Sequence, residues 1–510
     1  NGTVLIVTRD RAGTAVSYIG YAMLMLSMLV VSLKKFSRFS LVLLLSAGVS
    51  LGAVAAPQTI PEDVAQSLCK LSIYSKGRIM PMSVFARNFT VVVTGNPTFG
   101  GKSAGQFLSG WLFYYESWKA EPCIKVRQAS TREALGAGRA AYVPLTAFVD
   151  ASGRYLADGP EHAEANGRFA LVSAAATGSL WKIFPVETER GIEWLSPSDT
   201  PPPHIDVAQW HFIRHSLAYL AEQIALGDAD GASATIQKIA RYQRSVLGNA
   251  APTPVRVWCE EVFASASDSV VPAVVLLLCA LVMMFFYRRL PALLLAALSV
   301  VWLVFLITLN WIASASLPMT NGYETMQWMA LASCMLGIVL YRRDYITPLC
   351  CVVAALAMLV AMMGHRSPEI GVVMPVLRSP LLSVHVLAVM IAYAMFAVMA
   401  MCGLAWMCGR RRLLAVARHM IEPAVFFLAA GIFIGAIWAN RSWGRYWGWD
   451  PKEVWALVTM IVYSFGLHGR SIAVFRRDNF FAVYVVLAFL AVVMTYFGVN
   501  YVLGGLHSYA

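Results

Sequence analysis

Charge is what this sequence has least of. Asp, Glu, Lys and Arg make up 13% of its 510 residues while 58% are hydrophobic, against about a quarter charged in a soluble domain. That balance excludes a soluble globular chain and defines an integral membrane protein. The nine cysteines include no CxxC and no CxxCH, which excludes a zinc ribbon, a thioredoxin-like motif and a covalent haem attachment site within the chain itself. Cys69, Cys123 and Cys259 fall in one long polar segment; a Cys69–Cys123 disulfide is a candidate in an oxidising compartment, weakened by the odd count.

What the chain does have is long apolar runs. Crossing about 30 Å of hydrocarbon at about 1.5 Å per residue takes some 18 residues or more. Ten runs qualify, near 15–33, 39–56, 269–287, 290–309, 325–341, 345–363, 381–408, 421–439, 453–468 and 479–498. The run 41–57 also reads as a signal peptide, with KKFSR as its basic region and AVAA as its cleavage site; a span already precedes it, so it is taken as a span. The chain starts with Asn and the strand-like TVLIV, which reads as a piece of a longer protein.

A net charge of +12 raises nucleic acid as a partner, but the basic residues sit in short clusters between spans, as topology requires. No nucleic acid is expected. Alternate connections (34–38, 288–289, 342–343, 410–418, 470–477) hold fourteen Lys and Arg, and the intervening ones hold five. The basic set is therefore cytoplasmic. Residues 57–268, the loop at 440–452 and the C-terminus then share the opposite face.

The expected fold is an all-α polytopic membrane protein of about ten helices, with a mostly helical extracytoplasmic domain at 57–268 inserted after the second span. Within that domain FTVVVTG (89–95) reads as a strand, and residues 208–247 read as paired helices broken at Gly227, Asp228 and Gly231. His211 and His215 are spaced i, i+4, but no third ligand stands at a metal-binding spacing, so they read as surface histidines.

Ionisable residues inside spans are costly and default to functional candidates. His385 lies one turn into the seventh span, and His468 ends the ninth, about 27 Å of helix away from Asp450. His507 follows the tenth span, so His385, His507 and the stretch WGRYWGWDPKEVW (443–455) share one face.

Asp450, Pro451 and Glu453 read as N-cap, first-turn proline and capping-box carboxylate of the ninth helix. An aromatic belt accounts for interfacial tryptophans in general, but Trp443, Trp447 and Trp449 fall within seven residues, beside Gly444 and Gly448. Flat aromatics with glycines clearing space suit a large planar ligand. Two histidines on the same face suit the axial positions of a haem iron.

At these residues the sequence resembles a known family. WGRYWGWDPKE is similar to the WWD signature of haem-handling proteins in cytochrome c maturation, and HGR with NYVLGGLHSYA resembles the CcsA (ResC) branch, over residues 269–510 and eight spans. Residues 1–56 resemble, more weakly, the two-span tail of CcsB (ResB), which is fused to CcsA in some bacteria. The resemblance implies haem b as substrate and bound ligand, with His385 and His507 as axial ligands. Trp443, Trp447, Gly448, Trp449 and Asp450 would then form the haem-shaping loop, and His468 one ligand of an inner site. The family's second inner histidine lies in an early CcsB span, and residues 1–161 hold no histidine.

The resemblance further implies residence in the bacterial inner membrane and a holocytochrome c synthase of system II, acting with the CcsB remainder. Its implied partners are apocytochrome c, through CxxCH, and a thiol-reducing thioredoxin-like protein, with lipid around it. Delivery of haem without ligation is the alternative. A b-type electron-transfer cytochrome is less consistent, because it needs histidine pairs at two depths. No general acid or base stands out.

Overall fold

A computed structural model describes residues 57–503, except 190, 204, 365–368, 373–376 and 470. The first two expected spans, the TVLIV stretch, the alternative signal peptide and His507 lie outside the described residues.

The external domain packs helices α1 (Glu62–Cys69), α2 (Met82–Thr94), α3 (Ala104–Phe113), α4 (Ala163–Ala176), α5 (Val207–Ala225) and α6 (Ala229–Leu247) with small antiparallel sheets. Strands β1 (Ser72–Ser75) and β2 (Arg78–Pro81) form one of these sheets. Their two-residue turn has Lys76 at φ 49° and Gly77 at φ 80°, both left-handed, which matches the twist of a tight hairpin.

The strand expected at 89–95 is instead the end of α2. Met82, Phe85, Ala86, Phe89, Thr90 and Val93 are buried, a three-and-four spacing that continues the preceding helix through the β-branched run. Thr90 and Thr94 donate their hydroxyls to the carbonyls of Ala86 and Thr90, both at 2.8 Å, which keeps them compatible with a helix. Packing against the core thus overrode local β propensity.

The expected pair α5 and α6 is present. Asp206 caps α5 by accepting from Gln209 N, and Asp228 caps α6 by accepting from Gly231 N. Cys69 and Cys123 are both free thiols, so the candidate disulfide is not formed. His211 and His215 have ring centroids 4.3 Å apart, and no cluster of three metal-ligating residues stands among the described residues.

The membrane part holds α7 (Pro254–Ser267), α8 (Val271–Phe285), α9 (Arg289–Ser314), α10 (Gly322–Val339), α11 (Ile346–Gly364), α12 (Pro380–Met407), α13 (Leu413–Trp443), α14 (Pro451–Leu467) and α15 (Asp478–Val493), the last continuing as a π-helix over Met494–Leu503. Helices therefore occupy all eight positions where spans were expected after residue 268. Among the described residues four are long and apolar enough to cross a membrane alone: α9, α12, α13 and Asp478–Asn500. The pair α7 and α8, bent by 52°, passes the same test jointly.

The polar connections sort to two ends of the bundle. At one end Arg410 lies 4.1 Å from the Tyr345 ring centroid and Arg289 pairs with Asp344 at 2.9 Å. Arg418 reaches Asp478 at 3.0 Å at a further pair of basic connections. At the other end the external domain docks: Arg78 meets Glu260 at 2.6 Å, Arg87 meets Asp268 at 3.0 Å, and Arg256 donates to the Ala313 carbonyl at 2.7 Å. Lys76 of the hairpin turn also pairs with Glu369 of the connection between α11 and α12.

Candidate functional site: a cavity beside the tryptophan-rich loop

At the end that carries the external domain, α12, α13 and three connections enclose a cavity of about 710 Å³. That is within the roughly 300–1,000 Å³ of small-molecule and cofactor sites. Its lining is mostly apolar, and His385 projects from α12 into it.

Two glycines of α13 seat this imidazole. His385 Nδ1 lies 2.7 Å from the Gly431 carbonyl oxygen. A carbonyl only accepts, so Nδ1 carries the proton and Nε2 is the nitrogen with a lone pair. One turn on, a Cβ at Gly435 would stand 2.6 Å from Nδ1 and 2.7 Å from Cε1. The sequence GIFIG thus spaces two small residues by four, lets α12 and α13 approach closely, and leaves room for one ring between them. Backbone carbonyl support of this kind is what orients ligating histidines at metal centres.

The aromatic loop divides. Trp447, with Tyr446, lines the cavity. Trp443 ends α13 and packs edge-on against Trp438, centroids 4.9 Å apart. Trp449 is 74% exposed, stands T-shaped to Trp447 at 6.1 Å and has φ 58°. A bulky residue in the left-handed region stores backbone strain of order 1–3 kcal/mol, and such residues cluster at functional sites.

Behind the loop stands the expected cap. Asp450 is 6% exposed and accepts from Lys452 N at 3.1 Å, while Glu453 accepts from the backbone N–H groups of Gly448 at 2.8 Å and Asp450 at 3.3 Å. One carboxylate therefore starts α14 and also fixes Gly448 in the loop. His468 is the C-cap of α14, exposed, at the far end of that helix. The structure brings together His385 and Trp447; it keeps His468 apart from them.

Several lining residues carried no mark in the sequence. Trp438 is 3% exposed, and its indole Nε1 has no hydrogen-bond acceptor among the described residues. Thr495, Tyr496 and Asn500 enter from the π-helix, whose widened turns often mark functional sites. Lys452, just before the span at 453–468, reaches Asn500 Oδ1 at 3.2 Å. Burial pushes its ammonium down to about 8, against the opposing pull of Asp450. The signal that sequence reading passed over was GIFIG, whose second glycine marks the position of the ring.

Bundle, cavity and imidazole together define a polytopic helical membrane protein with a mostly apolar cavity at one end. Residues 269–507 match the family described as cytochrome C assembly protein. This part of the chain is CcsA-like. The whole chain aligns with Protein NrfI of Wolinella succinogenes at 26% identity, covering 64% of that protein. The cytochrome c biogenesis protein CcsA of Chlamydomonas reinhardtii is 31% identical over 41% of this chain and 65% of its own length. The CcsA of Solanum lycopersicum is 27% identical over 40% of this chain and 80% of its own. The chain thus spans just under two thirds of the length of the first two. The match to NrfI extends over the external domain of this chain as well as its membrane bundle.

Proposed function

We propose that this chain handles haem in system II cytochrome c biogenesis. It presents haem, as substrate, at the extracytoplasmic face of the bacterial inner membrane for thioether attachment to the CxxCH of apocytochrome c. The observation that carries this reading is His385: one nitrogen tied to the Gly431 carbonyl, the ring over Gly435, in a cavity that Trp447 also lines.

In this reading His385 and His507 supply the axial imidazoles, Trp447 with the loop fixed through Gly448 bounds the porphyrin, and apolar walls exclude water. Trp443, Trp449 and Asp450 support that loop. Haem b supplies the vinyl groups across which two cysteine thiols add, each S–H going to one C=C with no net redox change. The chain's share is orientation. His468 belongs to an inner site at the opposite end, on the path by which haem arrives. CcsB-like sequence and a thiol-reducing protein complete the system.

The test is an absorption spectrum of the purified chain beside His385→Ala and His507→Ala. Both substitutions are expected to lower or shift the Soret band, and equal haem content in all three preparations would reject the axial assignment. Delivery without ligation is separated by supplying an apocytochrome: a synthase yields haem that stays with the cytochrome under denaturing conditions, and a carrier does not.

A further inference from the structure

One wall of the cavity is a single connection. Residues 315–317 and 319–322 all line the cavity, and residues 315–321 join α9 to α10. The chain turns into this stretch at Ala315, the C-cap of α9, with φ 55°. A non-glycine residue in the left-handed region is strained and persists only when its surroundings hold it there.

The support comes from side chains that do not line the cavity. Trp328 of α10 donates its indole Nε1 to the Pro318 carbonyl at 2.8 Å. Glu324 of α10 is 4% exposed. One of its carboxylate oxygens accepts from Thr320 N at 2.7 Å and from Thr320 Oγ1 at 2.9 Å, and the other accepts from Asn310 Nδ2 at 3.1 Å. Asn310 is 1% exposed and lies near the end of α9. The carboxylate therefore joins the two flanking helices and holds the backbone of the connection at Thr320. Capping of α10 does not require this, because Asn321 already caps that helix by accepting from Glu324 N at 2.9 Å. The connection is also tied to the π-helix, where Tyr496 Oη donates to the Gly322 carbonyl at 3.2 Å.

A carboxylate is costly to bury in a helical membrane bundle, and where one is kept it is hydrogen-bonded and marks a function. Here the three donors are neutral, and two of them belong to a residue of the cavity wall. We propose that Glu324 is a positioning residue of the site: acting through Thr320, it holds the wall at 315–322 in the shape that receives the porphyrin. This rests on the haem reading above and adds to it a residue from outside the cavity. A carboxylate suits the task because one oxygen can accept both the N–H and the hydroxyl of Thr320 while the other accepts the Asn310 amide. Without it three buried donors lose their acceptor. The helices keep their own backbone ladders, so the connection is the part that yields.

The experiment compares the full chain, purified in detergent and stripped of haem, with Glu324→Ala and Glu324→Gln. Hydrogen exchange read by mass spectrometry reports the order of 315–322, and a Soret titration with haem reports the site. Glu324→Ala is expected to speed exchange in 315–322 but not in the middle of α9 or α10, and to weaken haem about tenfold, as follows from leaving buried donors unpaired. Glu324→Gln is expected to stay near wild type in both readouts. Its carbonyl oxygen still accepts from Thr320, and the Asn310 amide, whose Oδ1 has no partner among the described residues, can turn over to accept from the new amide. Faster exchange throughout α9 and α10 in Glu324→Ala would mark the residue as structural and overturn the proposal. So would unchanged exchange in 315–322. A wild type that takes up no haem overturns the haem reading and this proposal together, whereas wild type and Glu324→Ala binding haem alike overturn this proposal alone.

Discussion

The imidazole of His385 is seated by the backbone of α13. Gly431 supplies the acceptor and Gly435 the space. Gly435→Ala would put a methyl inside contact distance of the ring, so the imidazole must leave its seat. Haem retention is expected to fall by about tenfold or more while the bundle survives, because overpacking of one methyl typically costs about 1–3 kcal/mol. Retention equal to wild type in the Soret band would show that the ring has another stable position. In the external domain, burial and then the negative charges of Glu62 and Glu261 push the Cys69 thiol up to about 12, and burial with Glu121 raises Cys123 too. A raised thiol pKa favours the neutral form, so alkylation of Cys69 at pH 8 should be slower than for an ordinary cysteine by on the order of 10³. Mass spectrometry of the folded chain checks this, and rapid labelling would contradict the burial.

Helix α14 shows how much of one element the sequence specifies. Asp450, Pro451 and Glu453 were legible as a cap because the capping box is a local interaction between residues three apart, and both halves of it are formed. Asp450→Ala should lower the thermal midpoint through a loss of about 1 kcal/mol, whereas Asp450→Asn retains an N-cap acceptor and should lose little. An equal loss in both would mean that the charge of Asp450 matters more than its cap. Two other elements were not legible. Residues 89–94 continue α2 because its buried face selects the helical period, which a seven-residue window of β-branched residues does not reveal. The π-helix after α15 places Thr495, Tyr496 and Asn500 along the cavity, and no local signal in that stretch distinguishes it from the plain span expected at 479–498.

Across the whole molecule, the external domain and the bundle meet through buried charge. The Arg78 and Glu260 side chains are 12% and 3% exposed. Arg78→Met leaves Glu260 buried without its partner, which typically costs about 3–5 kcal/mol, while Arg78→Met with Glu260→Met restores much of it. Limited proteolysis of the purified chain should show the single variant cleaved faster within 57–268 and the double variant close to wild type. A single variant as resistant as wild type would show that the docking does not depend on this pair. The same meeting places the external domain at the end of the bundle that holds the cavity, with Lys76 and Glu369 joining the hairpin to the connection before α12.

The sequence by itself determined the helices, the sorting of basic connections to one end of the bundle, and the cap of α14. Hydrophobic length, charge asymmetry and capping are local or additive properties, so they can be counted along a chain. Only the tertiary structure decided which aromatics face the cavity. Trp447 does, Trp443 packs on Trp438, and Trp449 turns outward at φ 58°. Three tryptophans in seven residues look equivalent in sequence; their directions are set by the backbone of the loop and by Glu453 holding Gly448. The seat of His385 was decided the same way, by two glycines about fifty residues further along the chain. Their value arises only when α12 and α13 pack against each other.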